Sequence, residues 1–557
     1  VAEKILGIDV GGTHTDAALL SGSKVLATAK VSTNRGRLLD SLVDVTRQVI
    51  EGVDIDSIDS INLSTTLSTN AIVEGRTEPV GLVISSGPGL NPDVYRMGDH
   101  YFIVSGSIDH RGSSIADLDE GELDHAVQTC GEKDVRVYAL VSKFSTRNPD
   151  HEKRMANVFQ NQSDFITMGH ELSGQLSFPR RIATAYYNSA VWRDYNSFAD
   201  AMEESLRSFG ITADIHILKA DGGTMPLEVS RRLPVESILS GPAASVMGIV
   251  GLSKITEDSI ILDIGGTTTD IAVFADGAPL VVRDGITIRK YPTLVRALNT
   301  RSIGIGGDSA LSVVEGKVRV GPDRLGPAMA LSGDHPTLVD AMNYMNIMEH
   351  GDSTMSRQGI EDLAGKIGMK AADLASGAVE YALSEIHREA FSMVADINNK
   401  PVYTIHEMLE GKVILPKKVY AVGGPAEVMR SLLEERFGLE VHVPPNHHVA
   451  NAIGAALART TFDIELFADT AKGTLIVPNL NFQREVDRHY SLEQAEEEAR
   501  FLLAEHIHRI GSSVSDENID IIEASSFNMV GGFFSRGKDI RVKCQVRPGV
   551  TTVVEVT

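Results

Sequence analysis

Asp9-Val10-Gly11-Gly12-Thr13-His14-Thr15-Asp16 is the stretch from which the fold is read, because it returns far downstream as Asp263-Ile264-Gly265-Gly266-Thr267-Thr268-Thr269-Asp270. Each copy follows an apolar run (Ile5 to Ile8; Ile260 to Leu262) and leads into another (Ala17 to Leu20; Ile271 to Phe274), which predicts strand, tight turn, strand. Paired glycines let a backbone approach a ligand and turn its N–H groups outward. Threonine hydroxyls add donors, and the leading carboxylate suits a hydrated magnesium ion. A single Gly-Gly-Thr is equally an ordinary hairpin turn. Two copies matching in Asp, Gly, Gly, Thr, Thr and Asp point instead to two phosphate-gripping hairpins, hence two lobes facing one nucleotide. Neither copy contains Lys or Arg, so backbone donors and a divalent cation would have to neutralise a triphosphate.

The rest of the chain is consistent with a large α/β protein. Its 557 residues exceed what one core supports. With 75 acidic against 52 basic residues the net charge is −23, which argues against nucleic acid or an anionic membrane as main partner. Two cysteines, Cys130 and Cys544, are too few for a disulfide framework. No apolar run reaches the roughly 18 to 20 residues of a membrane span, and the N-terminus runs straight into the first strand without a signal-peptide pattern. A cytoplasmic location is the expectation. The histidines show no metal-ligand spacing.

Three further segments carry information. Glu236 to Val250 predicts a helix whose start is marked by Ser240 and Pro242, and Val449 to Ala458 predicts a second helix rich in small residues. Small side chains permit a close crossing, either as a hinge between lobes or as ordinary packing. Val419 to Val422 predicts a buried strand ending in Gly423 and Gly424, the strand end at which ligands lie in open α/β sheets. From about residue 463 the pattern becomes that of a smaller α+β unit. Arg301 is read either as an internal arginine finger or as a salt-bridge residue.

The two hairpins, the two small-residue helices and the strand-Gly-Gly element, in this order, resemble the actin-like ATPase superfamily of actin, Hsp70 chaperones and sugar kinases. Within it, Asp9 to Asp16, Ser64 to Ala71, Arg147-Asn148-Pro149-Asp150-His151-Glu152, the helix start Ser240-Gly241-Pro242-Ala243 and Gly304 to Ser309 resemble the hydantoinase A/5-oxoprolinase family. His14, Arg301 and Asp308 depart from its pattern, which commonly has Phe, His and Gly there; the segment Gly321 to Pro327 departs too.

The resemblance implies a two-lobed, ribonuclease H-like ATPase fold with a small C-terminal α+β domain. The expected divisions are 1–237 (first lobe with an inserted α/β segment), 238–462 (second lobe) and 463–557. It implies ATP and Mg2+ as cofactors, with Asp9 and Asp263 orienting the metal and acting in catalysis, and Asp16 or Asp270 polarising a water or substrate group or merely capping the hairpin. Gly11, Gly12, Thr13, Thr15, Gly265, Gly266, Thr267 and Thr268 would hold the phosphates, Gly306 and Gly307 would line the cleft floor, and Gly423 and Gly424 would flank the adenosine. The implied activity is ATP-dependent activation of a carbonyl oxygen in a cyclic amide, hydantoin, oxoproline-like lactam or ketone, as the A-type subunit of an oligomer with a hydantoinase B-type partner. A nucleotide-driven chaperone-like switch and a stand-alone small-molecule kinase are the alternatives.

Overall fold

The computed structural model describes residues 3–34, 37–282, 284–399, 413–512, 514–531 and 534–555. Two sheets of the same topology form its centre. In the first, Lys4–Val10 and His14–Ser21 make an antiparallel hairpin extended by Lys24–Ser32, while Ser60–Thr65 and then Asp214–Leu218 add in parallel on the other side. In the second, Ser259–Ile264, Thr269–Ala275 and Ala278–Pro279 repeat the antiparallel part, and Lys418–Val422 and Glu440–His442 the parallel part. The chain therefore has the two-lobed, ribonuclease H-like architecture of the actin-like ATPases, with corresponding hairpin threonines 254 positions apart.

What holds the lobes together is a pair of helices, Ser240–Leu252 and Ala450–Leu457. They share one core with residues from both sheets, including Leu20, Ile261, Phe274 and Val422. Their crossing leaves no room for side chains at its centre. A Cβ at Gly248 would lie 2.1 Å from the Ala450 carbonyl oxygen, and one at Gly454 would lie 2.1 Å from that of Ala244. On the strand beneath, a Cβ at Gly7 would come within 2.0 Å of the Ala452 oxygen. Asn62 closes the C-terminal end of the second helix, donating to the Ala455 and Ala456 carbonyls at 2.9 and 3.0 Å.

The helix starts at Ser240, as expected; the preceding position is Leu239, at φ 61° and with no side-chain cap. The Ser240 hydroxyl is engaged elsewhere, donating to the Thr65 carbonyl at 2.9 Å. It thereby fastens the helix to the strand next to Asp9.

A parallel sheet of Phe165–Met168, Val137–Ser142, Val80–Ser85 and His100–Ile103 is inserted between the fourth and fifth strands of the first lobe. After the second lobe comes an antiparallel sheet that includes Asp463–Asp469 and the long hairpin Ile519–Gly531/Phe534–Val546, with helix Leu492–Arg509 on one face. This C-terminal unit docks on the insert through Arg111–Asp469 (2.8 Å) and a hydrogen bond from Lys472 Nζ to Ser113 Oγ (2.9 Å). Among the described residues, no helix is long and apolar enough to cross a membrane.

Overpacking at the helix crossing is expected to cost about 1–3 kcal/mol or more for Gly248→Val or Gly454→Val. Gly365→Ala, in helix Ser353–Ile367 where an added methyl meets nothing within 4 Å, should stabilise by about 0.4–1 kcal/mol. Urea denaturation of the three variants distinguishes a sterically closed crossing from loose packing.

Candidate functional site

Each hairpin closes in the same way. Gly11 N–H donates to the His14 carbonyl at 3.1 Å and Gly265 N–H to that of Thr268 at 2.9 Å. The loops meet: Thr13 Oγ1 and Thr267 Oγ1 share a hydrogen bond of 2.7 Å, and a Cβ at Gly266 would lie 2.9 Å from Thr13 Cγ2. Gly12, Thr267 and Thr268 are half-buried at the same junction. Thr15 is placed differently. It is fully buried, its hydroxyl paired with Thr33 at 2.9 Å.

Gly306 and Gly307 lie against the second loop. A Cβ at Gly306 would lie 2.6 Å from the Gly266 carbonyl carbon, and Gly307 N–H donates to the Gly265 oxygen at 3.0 Å. Gly423 adopts φ +98° and approaches Ile264 so closely that a Cβ would meet its oxygen at 2.2 Å. That conformation and that distance both require glycine. Gly424, by contrast, opens on space with nothing within 4 Å. His447 braces this turn, its Nδ1 2.9 Å from the Gly423 oxygen and its carbonyl accepting the Gly423 N–H at 3.0 Å.

Under the loops lie the carboxyl groups. The register sets Asp9 directly opposite Asp16 and Asp263 opposite Asp270, an arrangement of like charges that a sheet would not adopt for stability. Burial, reinforced by Asp16, raises Asp9 to about 7, while Ser64 and Asn451 act in the opposite direction. Burial and then Asp263 raise Asp270 to about 7. Asp16 and Asp263 are raised as well, again chiefly by burial. One cation opposes them: Lys30, across the sheet from Asp16 and 2.8 Å from its carboxylate.

Asn451 joins the halves. Its Nδ2 donates to Asp9 Oδ2 at 3.3 Å, and its side chain also acts to lower Asp263, which accepts a bond from the Ser245 hydroxyl. Sequence reading passed over Asn451, although it is the one polar side chain among the small residues of Val449 to Ala458. Asp9 Oδ1 remains buried without a hydrogen-bond partner. A buried, unpartnered carboxylate oxygen among raised carboxyls fits a hydrated divalent cation, and outward-facing loops above it fit phosphate oxygens.

Arg301 takes the salt-bridge role, paired with Glu389 at 3.2 Å and Asp396 at 2.6 Å on helix Ala371–Asn398. Three departures from the family pattern cluster beside the loops. Asp308 pairs with Arg324 at 2.9 Å, and both act on His14, which burial and then Lys30 lower to about 4.

This duplicated sheet with paired Gly-Thr loops defines an actin-like ATPase scaffold. The chain belongs to the hydantoinase/oxoprolinase family, which matches it over residues 181–464, with the family's N-terminal region matching 5–163. It is 27% identical to the caprolactamase alpha subunit of Pseudomonas jessenii over 62% of its own length and 55% of the subunit, so the match spans about half of that relative. Two solved structures share the fold over 99% of the chain. An acetone carboxylase described for ATP-dependent acetone carboxylation, in a nucleotide-free state, has a TM-score of 0.74 at 15% identity and is covered over 88%. The ATP-dependent caprolactamase of P. jessenii has 0.69 at 19% identity and is covered over 89%.

The raised carboxyls give a signed pH dependence. A carboxyl group at about 7 in the folded state and at its ordinary 3.8 when unfolded contributes stability below pH 4 that is lost as pH rises through 7. In EDTA, Asp9→Asn and Asp270→Asn should each flatten the fall of thermal stability between pH 5 and 8, and millimolar Mg2+ should raise the wild-type melting temperature more at pH 8 than at pH 5.5. Differential scanning fluorimetry reads both.

Proposed function

We propose that the protein binds Mg·ATP between its lobes and uses it to phosphorylate a carbonyl oxygen of a cyclic amide, hydantoin, oxoproline-like lactam or ketone, acting as the A-type subunit of an oligomeric enzyme with a hydantoinase B-type partner. The observation that carries this reading is the Thr13–Thr267 contact at 2.7 Å above two opposed carboxyl pairs, Asp9/Asp16 and Asp263/Asp270. Such an assembly is costly unless a cation and a polyanion complete it.

In this reading the glycine-threonine loops present backbone N–H groups and hydroxyls to the β- and γ-phosphates, and Asp9 and Asp263, aligned by Asn451, orient the hydrated metal. The ion supplies charge neutralisation for phosphoryl transfer. Gly424, facing open space, receives the nucleoside end. The substrate oxygen forms the new O–P bond while the bond from γ-phosphorus to the β,γ-bridging oxygen breaks and ADP leaves. The resulting phosphate ester turns a poor leaving group into a good one. Asp16 is committed to Lys30, whereas Asp270, near 7, is matched to accepting the substrate's proton at neutral pH. Family membership and the ATP-dependent lactamase and carboxylase among similar proteins support the substrate class.

With γ-labelled ATP and a panel of lactams, hydantoins and ketones, with and without a co-expressed B-type subunit, label should leave ATP faster when a substrate is present. Asp9→Ala and Asp263→Ala should each lower turnover by at least about 10²-fold without unfolding the chain. Release of label to water at one rate regardless of substrate, or full turnover in both variants, overturns the proposal.

A further inference from the structure

Away from the cleft, the turn after strand Val137–Ser142 presents a buried guanidinium group with no carboxylate among the described residues in contact. Arg147 is 6% exposed, and its Nε is buried with no hydrogen-bond partner. Among the described residues its side chain has no ion-pair partner; it stacks on the ring of Phe467, 3.1 Å from the centroid. Arg541 stands over the same ring at 6.0 Å. Both arginines line a cavity of about 250 Å³ between the inserted and C-terminal units, together with Lys543, Glu465 and Glu523. None of the cleft residues line it.

The presentation of Arg147 is rigid. Arg181, Glu152 and His170 are buried, at 0%, 0% and 1% exposure. Glu152 accepts the Ser142 and His170 N–H groups at 2.7 and 2.8 Å, and Arg181 donates to the Ser142 carbonyl at 2.9 Å and lies 3.7 Å from Glu152. That network fixes both ends of the turn. A chain of strongly negative charge has here buried a cation on which Asp539, Glu465 and Asp469 act only from a distance, with none of them in ion-pair contact.

We propose that this cavity binds a small organic carboxylate, anchored by the Arg147 guanidinium. A planar fork of N–H donors matches a carboxylate bidentately, and the ligand's charge offsets a desolvation that pulls the guanidinium down to about 9, with Arg541 adding to the effect. The rest of the lining selects a monoanion. Lys543 is 3.7 Å from Glu465, and Glu465 itself is raised by burial to about 7. The cavity tolerates one negative charge, but a phosphate dianion would face Glu465, Glu523 and Asp284 together. Its volume lies just below the usual range for ligand pockets.

Isothermal titration of the full chain tests this with propionate, 6-aminohexanoate and 5-oxoproline, each against its amide, and with inorganic phosphate. At least one carboxylate should bind and its amide should not. Arg147→Gln should weaken that binding at least about tenfold, Arg147→Lys should restore part of it, and Mg·ATP affinity should stay at the wild-type value in both. No carboxylate binding at millimolar concentration, equal binding in Arg147→Gln, or tighter and equally Arg147-dependent binding of phosphate overturns the proposal. Should Arg147→Gln fail to fold, Arg147→Lys, which keeps the charge without the planar fork, replaces it; full wild-type carboxylate affinity there overturns the proposal equally.

Discussion

The closeness of two helix backbones governs this molecule. Because Gly248 and Gly454 allow Ser240–Leu252 and Ala450–Leu457 to cross with carbonyls in contact range, two separately folded sheets can face each other with their hairpin loops touching. Larger residues at the crossing would push the sheets apart and separate Thr13 from Thr267. The same helices carry Ser245 and Asn451 into the cleft, so the packing that sets the lobe spacing also delivers the groups that hold the carboxylates. Spacing and polar positioning are one property of this helix pair.

The cleft is electrostatically unfinished. Asp9, Asp16, Asp263 and Asp270 all lie above the ordinary carboxylate range, chiefly because burial removes water, and Lys30, ion-paired with Asp16 and acting on Asp263 from further off, does not bring either back to that range. Stability alone would replace such groups by hydrogen-bonded neutral ones. Their retention at matching positions of both lobes is intelligible when a cation belongs between them, and the glycine loops above then have an anion to hold.

The parts of this design visible in the sequence are those that depend on local pattern. The Asp-x-Gly-Gly-Thr phrases fix both hairpins because turn chemistry and period-two alternation are local, and the runs of alanine and glycine mark both crossing helices for the same reason. What escaped depends on which residues meet across long separations. Asn451 lies 442 positions from Asp9, and nothing within its own helix says that it faces a carboxylate. The pairing of Asp308 with Arg324 and the return of Phe467 onto Arg147 are likewise tertiary facts. Ser240 marks its helix start as expected, but that its hydroxyl reaches the strand end at Thr65 is a tertiary fact of the same kind. Strand alternation turns both Thr15 and its counterpart Thr269 inward, to Thr33 and to the Ile305 carbonyl.

Duplication gives the two lobes one topology but not one charge distribution. Lys30 serves the first hairpin, and the Asp308–Arg324 pair stands beside the second. A perfectly symmetric cleft would accept an elongated guest equally well head-first or tail-first. These few side chains abolish that degeneracy, so a repeated scaffold acquires a polarity.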